Sequence, residues 1–196
     1  MNPIEMNYCN ACAGPLSSRI PRGEDRVRHV CEICGEIHYL NPRVVVCALP
    51  VWNDQILLCR RAIEPRRGLW TLPGGFMEQG ESTLQAASRE TMEEACAHIE
   101  VGELFALFNI IHINQVQLFF LATLPKPEFA VGAESLEVAL FDAKDIPWDE
   151  LAFPAIAITL REYFKARDSG NFHLRIADIH LDEEQKRVFK PFNFIH

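Results

Sequence analysis

A glycine turn followed by an acid-rich helix, at residues 75–97, constrains this chain more than any other stretch. Ser82 is a favourable N-cap residue, and Gln85 three positions later completes a capping box, so we expect the helix to begin at about residue 83. No proline or glycine interrupts the sequence between this cap and Gly102. The helix face that we expect to pack consists of Leu84, Ala87, Thr91 and Ala95.

Three carboxylates, those of Glu90, Glu93 and Glu94, occupy adjoining positions on this helix, because the second and third follow the first by three and four residues. Each like-charged pair at such spacing destabilises a helix by about 0.2–0.5 kcal/mol. Arg89 relieves only part of that repulsion, and a bound cation would relieve the rest. Hard divalent ions take carboxylate oxygens together with waters and substrate phosphates. The stretch therefore predicts a site for Mg²⁺ or Mn²⁺.

The same stretch resembles the box of the Nudix family: a Gly, five residues, a Glu, seven residues, Arg-Glu, two residues, and Glu-Glu. Residues 69–75, which read Leu-Trp-Thr-Leu-Pro-Gly-Gly, are similar to the strand that enters the box in that family. The alternative, a solvated helix face rich in glutamate, explains neither the glycine turn nor the complete set of carboxylates. The matching positions are Gly75, Glu81, Arg89, Glu90, Glu93 and Glu94.

Three box positions depart from the family pattern. Thr91 replaces an aliphatic residue, Cys96 a glycine and Ala97 a larger apolar residue. We expect all three to be packing positions, so the departures concern local geometry more than chemistry.

The resemblance implies an α/β fold, the Nudix α/β/α sandwich with a mixed β-sheet. It also implies a pyrophosphatase that cleaves a nucleoside diphosphate linked to another moiety, giving AMP and a phosphomonoester. Glu90, Glu93 and Glu94 would hold Mg²⁺ or Mn²⁺ with Glu81 and Gly75, and Arg89 would orient Glu93 or a neighbouring carboxylate. A loop glutamate of the family faces the box helix and accepts the proton of the attacking water; Glu134 is the first choice for this role and Glu137 the second.

Four cysteines precede this domain in two Cys-x-x-Cys pairs, Cys9 with Cys12 and Cys31 with Cys34, separated by 18 residues. This is zinc-ribbon spacing, and a tetrahedral zinc would supply much of the stability of so short a module. A redox pair or four unligated cysteines are the alternatives, but neither explains the doubled spacing. His29 and His38 could substitute as ligands. The other three cysteines, Cys47, Cys59 and Cys96, are predicted to be small core residues.

Charge and composition exclude some classes of partner. The formal net charge is −8, and residues 1–43 carry five arginines against five acidic residues, so we expect neither nucleic-acid nor membrane binding. No apolar run reaches the roughly 18 residues of a membrane span, and residues 1–8 lack the features of a signal peptide. We expect a cytoplasmic protein.

Three segments are predicted: a zinc ribbon at residues 1–41, the catalytic domain at 42–168 and a C-terminal extension at 169–196. Strands are predicted at residues 44–49, 55–60, 99–108, 116–124 and 138–141, and a second helix from Pro154 to about Arg167. The extension alternates at three apolar residues and ends in three phenylalanines, so we expect it to pack on the body or on a second subunit of a homodimer. These residues are Phe172, Leu174, Ile176, Phe189, Phe192 and Phe194.

Basic and aromatic residues near the box are candidates for substrate contacts. Arg60, Arg61, Arg66 and Arg67 form a basic cluster in an acidic chain, although for any one of them a solvated loop is an equal alternative. Trp70 either packs in the core or stands at the site wall, where a base or isoalloxazine could stack. The substrate candidates are Arg43, Arg60, Arg66, Trp70 and Phe76.

The order of motifs resembles the subgroup of FAD and ADP-ribose pyrophosphatases. Zinc-containing NADH pyrophosphatases are the nearest rival, but their Ser-Gln-Pro-Trp-Pro-Phe-Pro tract is absent, since residues 106–111 read Ala-Leu-Phe-Asn-Ile-Ile. The proline of many dedicated ADP-ribose enzymes is also absent, since Ile113 stands there. A ligand-sensing regulator without catalysis stays open, although such proteins usually lose box glutamates. An RNA-binding role through the ribbon is less favoured by the charge.

Overall fold

A computed structural model describes residues 6–181 and 187–191 of the chain. The chain divides into two compact units, Met1–Pro42 and Arg43–His196. The partition into segments ending at residues 41 and 168 stays a prediction. No helix in the described residues combines the length and apolar composition needed to cross a membrane.

The first unit is a three-stranded antiparallel sheet. Strands β1 (Leu16–Arg19), β2 (Arg28–Cys31) and β3 (Ile37–His38) follow one another in the sheet. Of the apolar residues described here, only Cys9, Val30 and Cys31 are buried. So small a core leaves the unit dependent on another source of stability.

The second unit is built on one mixed sheet. Its order is β10-β5-β4-β9-β8-β11-β12, with β6 paired to β5 and β7 paired to β4. The β4–β9 and β8–β11 pairs are parallel and the others antiparallel. The strands are β4 (Arg43–Trp52), β5 (Gln55–Arg61), β6 (Trp70–Thr71), β7 (Gly74–Phe76), β8 (Glu100–Ile110), β9 (Gln115–Thr123), β10 (Ser135–Phe141), β11 (Arg175–Leu181) and β12 (Arg187–Pro191).

The two α-helices, α1 (Thr83–Ala95) and α2 (Pro154–Ser169), cover opposite faces of this sheet. Side chains alternate between the faces of a strand, and along β4 Val46 packs with Ala87 of α1. Leu49 of the same strand packs with Leu160 of α2. The predicted α/β/α arrangement with a mixed sheet is therefore confirmed. Within residues 6–181 and 187–191, the other helical segments are single 3₁₀ turns at Ile111–Ile113 and Trp148–Glu150.

Helix α1 begins as predicted. The Ser82 hydroxyl accepts a hydrogen bond from the Gln85 backbone N–H, and the Gln85 side chain accepts one from the Ser82 N–H, at 3.3 and 2.7 Å. Of the predicted packing face, Ala87, Thr91 and Ala95 are buried. Leu84 is 46% exposed, so its assignment to that face was wrong. Leu84 lies in the first turn of α1, and the buried residues of the helix begin only at Ala86.

The end of α1 corrects the prediction for Cys96. Thr91 and Ala97 are buried, as expected for packing positions, but Cys96 is exposed. Its φ of 48° is left-handed and its N–H bonds to the Met92 carbonyl, so it is the C-cap that ends the helix. That conformation explains why a glycine is favoured here, and it turns the cysteine away from the core. Cys47 and Cys59 are core residues, as predicted.

The C-terminal segment joins the sheet, because β11 pairs in parallel with β8. Phe172 packs on Phe105 and Tyr163, but it is 44% exposed, and the buried residues of β11 are Ala177 and Ile179. The predicted alternation was thus out of register, because the strand begins only at Arg175. Phe192 and Phe194 lie outside the described residues.

Candidate active site

Arg89 is the centre of a hydrogen-bonded network at the turn and α1. Its Nε and Nη2 donate to the two Glu81 carboxylate oxygens, at 3.0 and 2.8 Å. Its Nη1 donates to Glu90 at 2.8 Å and to Glu93 at 3.0 Å. Nη2 also donates to the Phe76 carbonyl at 3.1 Å, so one guanidinium ties the turn to the helix.

The glycines of β7 let the backbone approach the acid helix. A Cβ on Gly75 would lie 2.5 Å from a carboxylate oxygen of Glu90 and one on Gly74 would lie 2.6 Å from the Cys47 sulfur, and real Cβ atoms do not come within 3.0 Å. The Gly74 N–H donates to Glu94 at 3.2 Å. Gly74 is therefore required by space, because its Cβ would also lie 2.6 Å from the Val46 carbonyl oxygen, whereas at Gly75 the carboxylate end of Glu90 would have to shift; neither glycine has a left-handed φ.

The carboxylates of the box differ in environment. Burial raises the pKa of Glu94 to about 8, with the Gly74 N–H opposing the shift and the charge of Glu90 adding to it. Burial also raises the pKa of Glu90, against the effect of Arg89. Hydrogen bonds from Arg89 and then from the Glu78 N–H lower the pKa of Glu81 to about 2. Glu93 is mostly exposed. The site thus holds buried acids whose charges repel one another.

The loop between β9 and β10 carries the predicted proton acceptor. Glu134 is close enough to Glu90 and Glu94 for its charge to contribute to the raised pKa of both. Glu137 lies opposite Arg60 on β5 and pairs with it at 3.5 Å. Glu134 therefore stays the first choice for the proton acceptor, while Glu137 is engaged by Arg60.

The basic cluster is divided between the two faces of β5. Arg60 donates to the Gly68 carbonyl at 2.8 Å and lies 3.5 and 3.9 Å from Glu137 and Glu150, so its guanidinium is already committed to structural contacts. Arg61 lies on the opposite face, next in alternation to Cys59, and its charge lowers the pKa of Glu94 against the larger effect of burial.

Arg61 has donors to spare. Its Nε bonds to the Pro65 carbonyl at 2.9 Å, and its guanidinium lies over the Phe153 ring at 5.3 Å. Its two terminal nitrogens make no hydrogen bond or ion pair within the described part of the chain. Arg66 is exposed on the loop before β6.

Of the aromatic candidates, Trp70 belongs to the core and Phe76 to the surface. The Trp70 ring is 6% exposed and packs edge-on against Phe141 at 4.9 Å, so the core alternative holds and the ring has no free face for a ligand. Phe76 is 46% exposed, and the Arg43 guanidinium lies over its ring at 4.7 Å. Phe76, which directly follows Gly75, thus forms an accessible cation–aromatic pair with Arg43 of β4.

The four cysteines of the first unit meet the geometric requirement of a metal site. Their sulfurs all lie within 4.8 Å of one another. Backbone N–H groups point at the sulfurs, from Ala11 to Cys9 at 3.4 Å and from Ile33 to Cys31 at 3.4 Å. The cluster and its amide donors fit a structural zinc.

The clustered cysteines differ in electrostatics: the Glu36 backbone N–H lowers the pKa of Cys34, but hydrogen bonds with Cys12 and Cys31 outweigh it and raise that pKa to about 12. Hydrogen bonds from the backbone N–H groups of Cys34 and Ile33 lower the pKa of Cys31 to about 6, against the effect of burial. His38 is buried with its Nε2 3.3 Å from the Cys9 sulfur, so it contacts one of the proposed zinc-binding cysteines. His29 instead contacts the Ser18 hydroxyl.

The box glutamates fit a hard divalent cation by their chemistry. They offer carboxylate oxygens, and a cation would compensate both the burial that raises the pKa of Glu94 and the charge of Glu90 that adds to the shift. They are not gathered as tightly as the cysteines, which among the described residues form the one group of three or more with ligand atoms within 4.8 Å. Oxygens of Glu90 and Glu93 are drawn instead to Arg89.

Sequence reasoning missed two features of this site. The sequence predicts Gly74 only as part of the segment that enters the box, yet its N–H donates a hydrogen bond to the Glu94 carboxylate. Arg61 was named in the basic cluster but not preferred over Arg60. Period-two alternation could have separated the two arginines, because Leu57 and Cys59 already share a face.

Comparison with known proteins agrees with this geometry. The model of the NUDIX domain matches residues 41–163, and that of the Nudix N-terminal zinc ribbon matches residues 7–40. A crystal structure of a NUDIX hydrolase from Nitrosomonas europaea is 46% identical, with a TM-score of 0.84 over 88% of this chain and 99% of that one.

Two curated relatives are similar over different lengths. The chain is 31% identical to an ADP-ribose pyrophosphatase of Methanocaldococcus jannaschii, over 59% of this chain and 69% of the relative. It is 32% identical to an NAD-capped RNA hydrolase of Stutzerimonas stutzeri, over 83% of this chain and 57% of the relative. It thus spans little more than half the length of the second relative. The matched models, covering the ribbon and the box, show that the chain belongs to the NUDIX family.

Proposed function

We propose that the protein hydrolyses the diphosphate of a nucleoside diphosphate linked to another moiety, of the FAD or ADP-ribose type, with Mg²⁺ or Mn²⁺. The observation that carries this proposal is the set of box carboxylates on α1, which lies against the backbone of Gly75 and within the field of Glu134. All the carboxylates of the box are present. A regulator that only senses ligand would not need them.

Each box residue has a role consistent with its position. Glu90, Glu93 and Glu94 are the proposed cation ligands, with Glu81 and the backbone at Gly75 beside them. When bound, a divalent cation neutralises phosphate oxygens and makes water more acidic. Arg89 holds Glu81, Glu90 and Glu93 in place through its five donors.

Glu134 is the proposed general base. A carboxylate on this loop takes a proton from the attacking water while the water oxygen forms a bond to one phosphorus of the diphosphate. The bond from that phosphorus to the bridging oxygen breaks, and the second phosphate leaves as a phosphomonoester. Arg61, rather than Arg60, is proposed to bind the diphosphate, because its terminal nitrogens are uncommitted in the described residues and its charge acts on Glu94.

Phe76 and Arg43 are the proposed contacts to the base or flavin. An exposed aromatic ring can stack on a planar ring system, and a guanidinium beside it adds a charged donor. Trp70 is excluded from this role by its burial. Arg66, exposed on the preceding loop, remains a candidate for the far end of the substrate.

A panel of FAD, ADP-ribose, NADH and diadenosine polyphosphates, assayed for phosphomonoester release at equal Mg²⁺, tests the proposal. We expect FAD or ADP-ribose to exceed NADH in kcat/KM by about tenfold, which requires about 1.4 kcal/mol of differential transition-state binding. If NADH proves to be the best substrate, the assignment to the FAD and ADP-ribose subgroup is wrong, although the proposed hydrolysis of a diphosphate still holds. Tight binding with no turnover by metal-replete protein would favour a regulator.

An NAD-directed activity is the second candidate. It is favoured by the relatives described as NAD-capped RNA hydrolases, one of which matches 83% of this chain. The absence of nucleic-acid partners is therefore only a proposal, and capped RNA belongs in the panel. A homodimer and a cytoplasmic location are also proposals; seven free cysteines suit a reducing compartment.

A further inference from the structure

The loop that carries Glu134 is tied to the last turn of α1 through backbone atoms. The Gly132 N–H donates to the Glu94 carbonyl at 3.1 Å, and the Ala130 N–H donates to the Ala95 carbonyl at 2.8 Å. Carbonyls in the last turn of a helix lack partners within the helix, so this loop satisfies them. The contact reaches the same helix residues that hold the box carboxylates.

Gly132 is a glycine because of space and not because of backbone conformation. Its φ is not among the positive values of the chain. A Cβ at this position would overlap the Glu93 carbonyl oxygen and lie 2.7 Å from the Glu94 carbonyl carbon. Both obstacles are backbone atoms of a helix, which cannot turn aside as the end of a side chain can. Any larger residue therefore moves the loop or the helix.

The turn that contains Gly132 also holds Glu134. The Ser135 N–H donates to the Gly132 carbonyl at 3.2 Å, which closes the turn. On the other side, the Glu134 carbonyl accepts the Ala62 N–H at 2.8 Å, just beyond β5. Glu134 is thus fixed between α1 and β5, and Gly132 is its link to α1.

We propose that Gly132 is a positioning residue, whose close approach to α1 sets the distance between the Glu134 carboxylate and the carboxylates of Glu93 and Glu94. The inference rests on the proposed function, in which Glu134 is the base. A displacement of about 1 Å at a reacting group can cost about 100-fold in rate.

The test compares Gly132→Ala with Val131→Ala, a change at a neighbouring loop residue that is 53% exposed. We expect Gly132→Ala to lower kcat on ADP-ribose about 100-fold, with KM and Mn²⁺ affinity changed less than about twofold. Mn²⁺ affinity is measured directly by the paramagnetic resonance of the free ion. Val131→Ala should keep the wild-type kcat. A wild-type rate in Gly132→Ala, or a loss of Mn²⁺ affinity that parallels the loss of kcat, would overturn the inference.

A double-mutant cycle separates positioning from general damage. In a Glu134→Gln background, Gly132→Ala should lower the residual rate less than about threefold, because the group that it positions is already inactive. If the double variant instead shows the product of the two single-variant losses in rate, Gly132 does not act through Glu134 and the inference is wrong. If Gly132→Ala fails to fold, Ala130→Pro removes the second loop-to-helix hydrogen bond, and we expect about a tenfold loss of kcat with the same non-additivity; no loss refutes positioning.

The two proposals fail differently. A wild-type protein that hydrolyses no dinucleotide or nucleotide sugar contradicts the proposed function and this inference together. An active wild type with an unaffected Gly132→Ala variant contradicts only the role of Gly132.

Discussion

Replacing Arg89 by lysine keeps the positive charge but removes the planar fork that the site uses. Five hydrogen bonds leave this guanidinium, two to Glu81, one each to Glu90 and Glu93 and one to the Phe76 carbonyl. A lysine ammonium has three donors on a single nitrogen. It cannot bridge both oxygens of Glu81 and also reach the helix carboxylates, so at least two of the five bonds are lost.

The expected cost follows from those contacts. Hydrogen bonds to charged groups contribute about 1.5–3 kcal/mol each when shielded, but the Arg89 side chain is 28% exposed, so we discount each lost bond to about 1 kcal/mol. Arg89→Lys should therefore lower the free energy of unfolding of the second unit by about 2 kcal/mol. It should also lower kcat by about 100-fold, because Glu93 loses its orienting donor.

Urea unfolding followed by tryptophan fluorescence measures the stability, since Trp52, Trp70 and Trp148 are the three tryptophans and all lie in the second unit. With a slope of about 2 kcal/mol/M, the midpoint should fall by about 1 M. Arg167→Lys is the matched control: its side chain is 29% exposed, it pairs with the exposed Asp168 and it lies over the Phe164 ring at 5.0 Å, so we expect less than about 0.5 kcal/mol. Equal midpoints for Arg89→Lys and wild type would refute the reasoning.

Three further outcomes are expected. Glu93→Gln or Glu94→Gln should lower turnover by orders of magnitude with an unchanged circular dichroism spectrum, and near-normal rates at saturating Mg²⁺ would contradict the metal assignment. Elemental analysis of protein purified without chelator should find one zinc per chain; Cys34→Ser should remove it and expose the amides of residues 6–42 to hydrogen exchange, while residues 44–168 stay protected. Cys96→Gly should raise the stability by about 0.5–1 kcal/mol in urea unfolding, because the left-handed C-cap strains a cysteine and not a glycine; a lower midpoint would show that the Cys96 side chain contributes contacts of its own.

Local features of the chain were predictable from the sequence. The capping box of Ser82 and Gln85 needs only three residues of separation, and the carboxylates of α1 share a surface because of helical periodicity. The spacing of the two cysteine pairs likewise predicts that the four sulfurs lie close together. The main strands of the second unit followed from their apolar runs, although their ends moved by a few residues.

Features that depend on pairing across the sheet were not predictable from local pattern. Residues 175–179 add to the sheet in parallel with β8, a choice made by contacts between segments about 70 residues apart. Alternation places Arg60 and Arg61 on different faces of β5, but which of those faces meets α1 is known only from the packing of Leu57 and Cys59 with Ala95.

The family box, the four-cysteine cluster and the acid helix could all be predicted from the sequence, because each depends on short, fixed spacings along the chain. The pairing of Glu137 with Arg60, the burial of Trp70 and the contact of Gly132 with α1 became known only from the packed structure. Those facts depend on strand register and on the path of a loop between distant elements. Such long-range contacts arise from the packing of the whole chain, and no periodic pattern of residues within one segment predicts them.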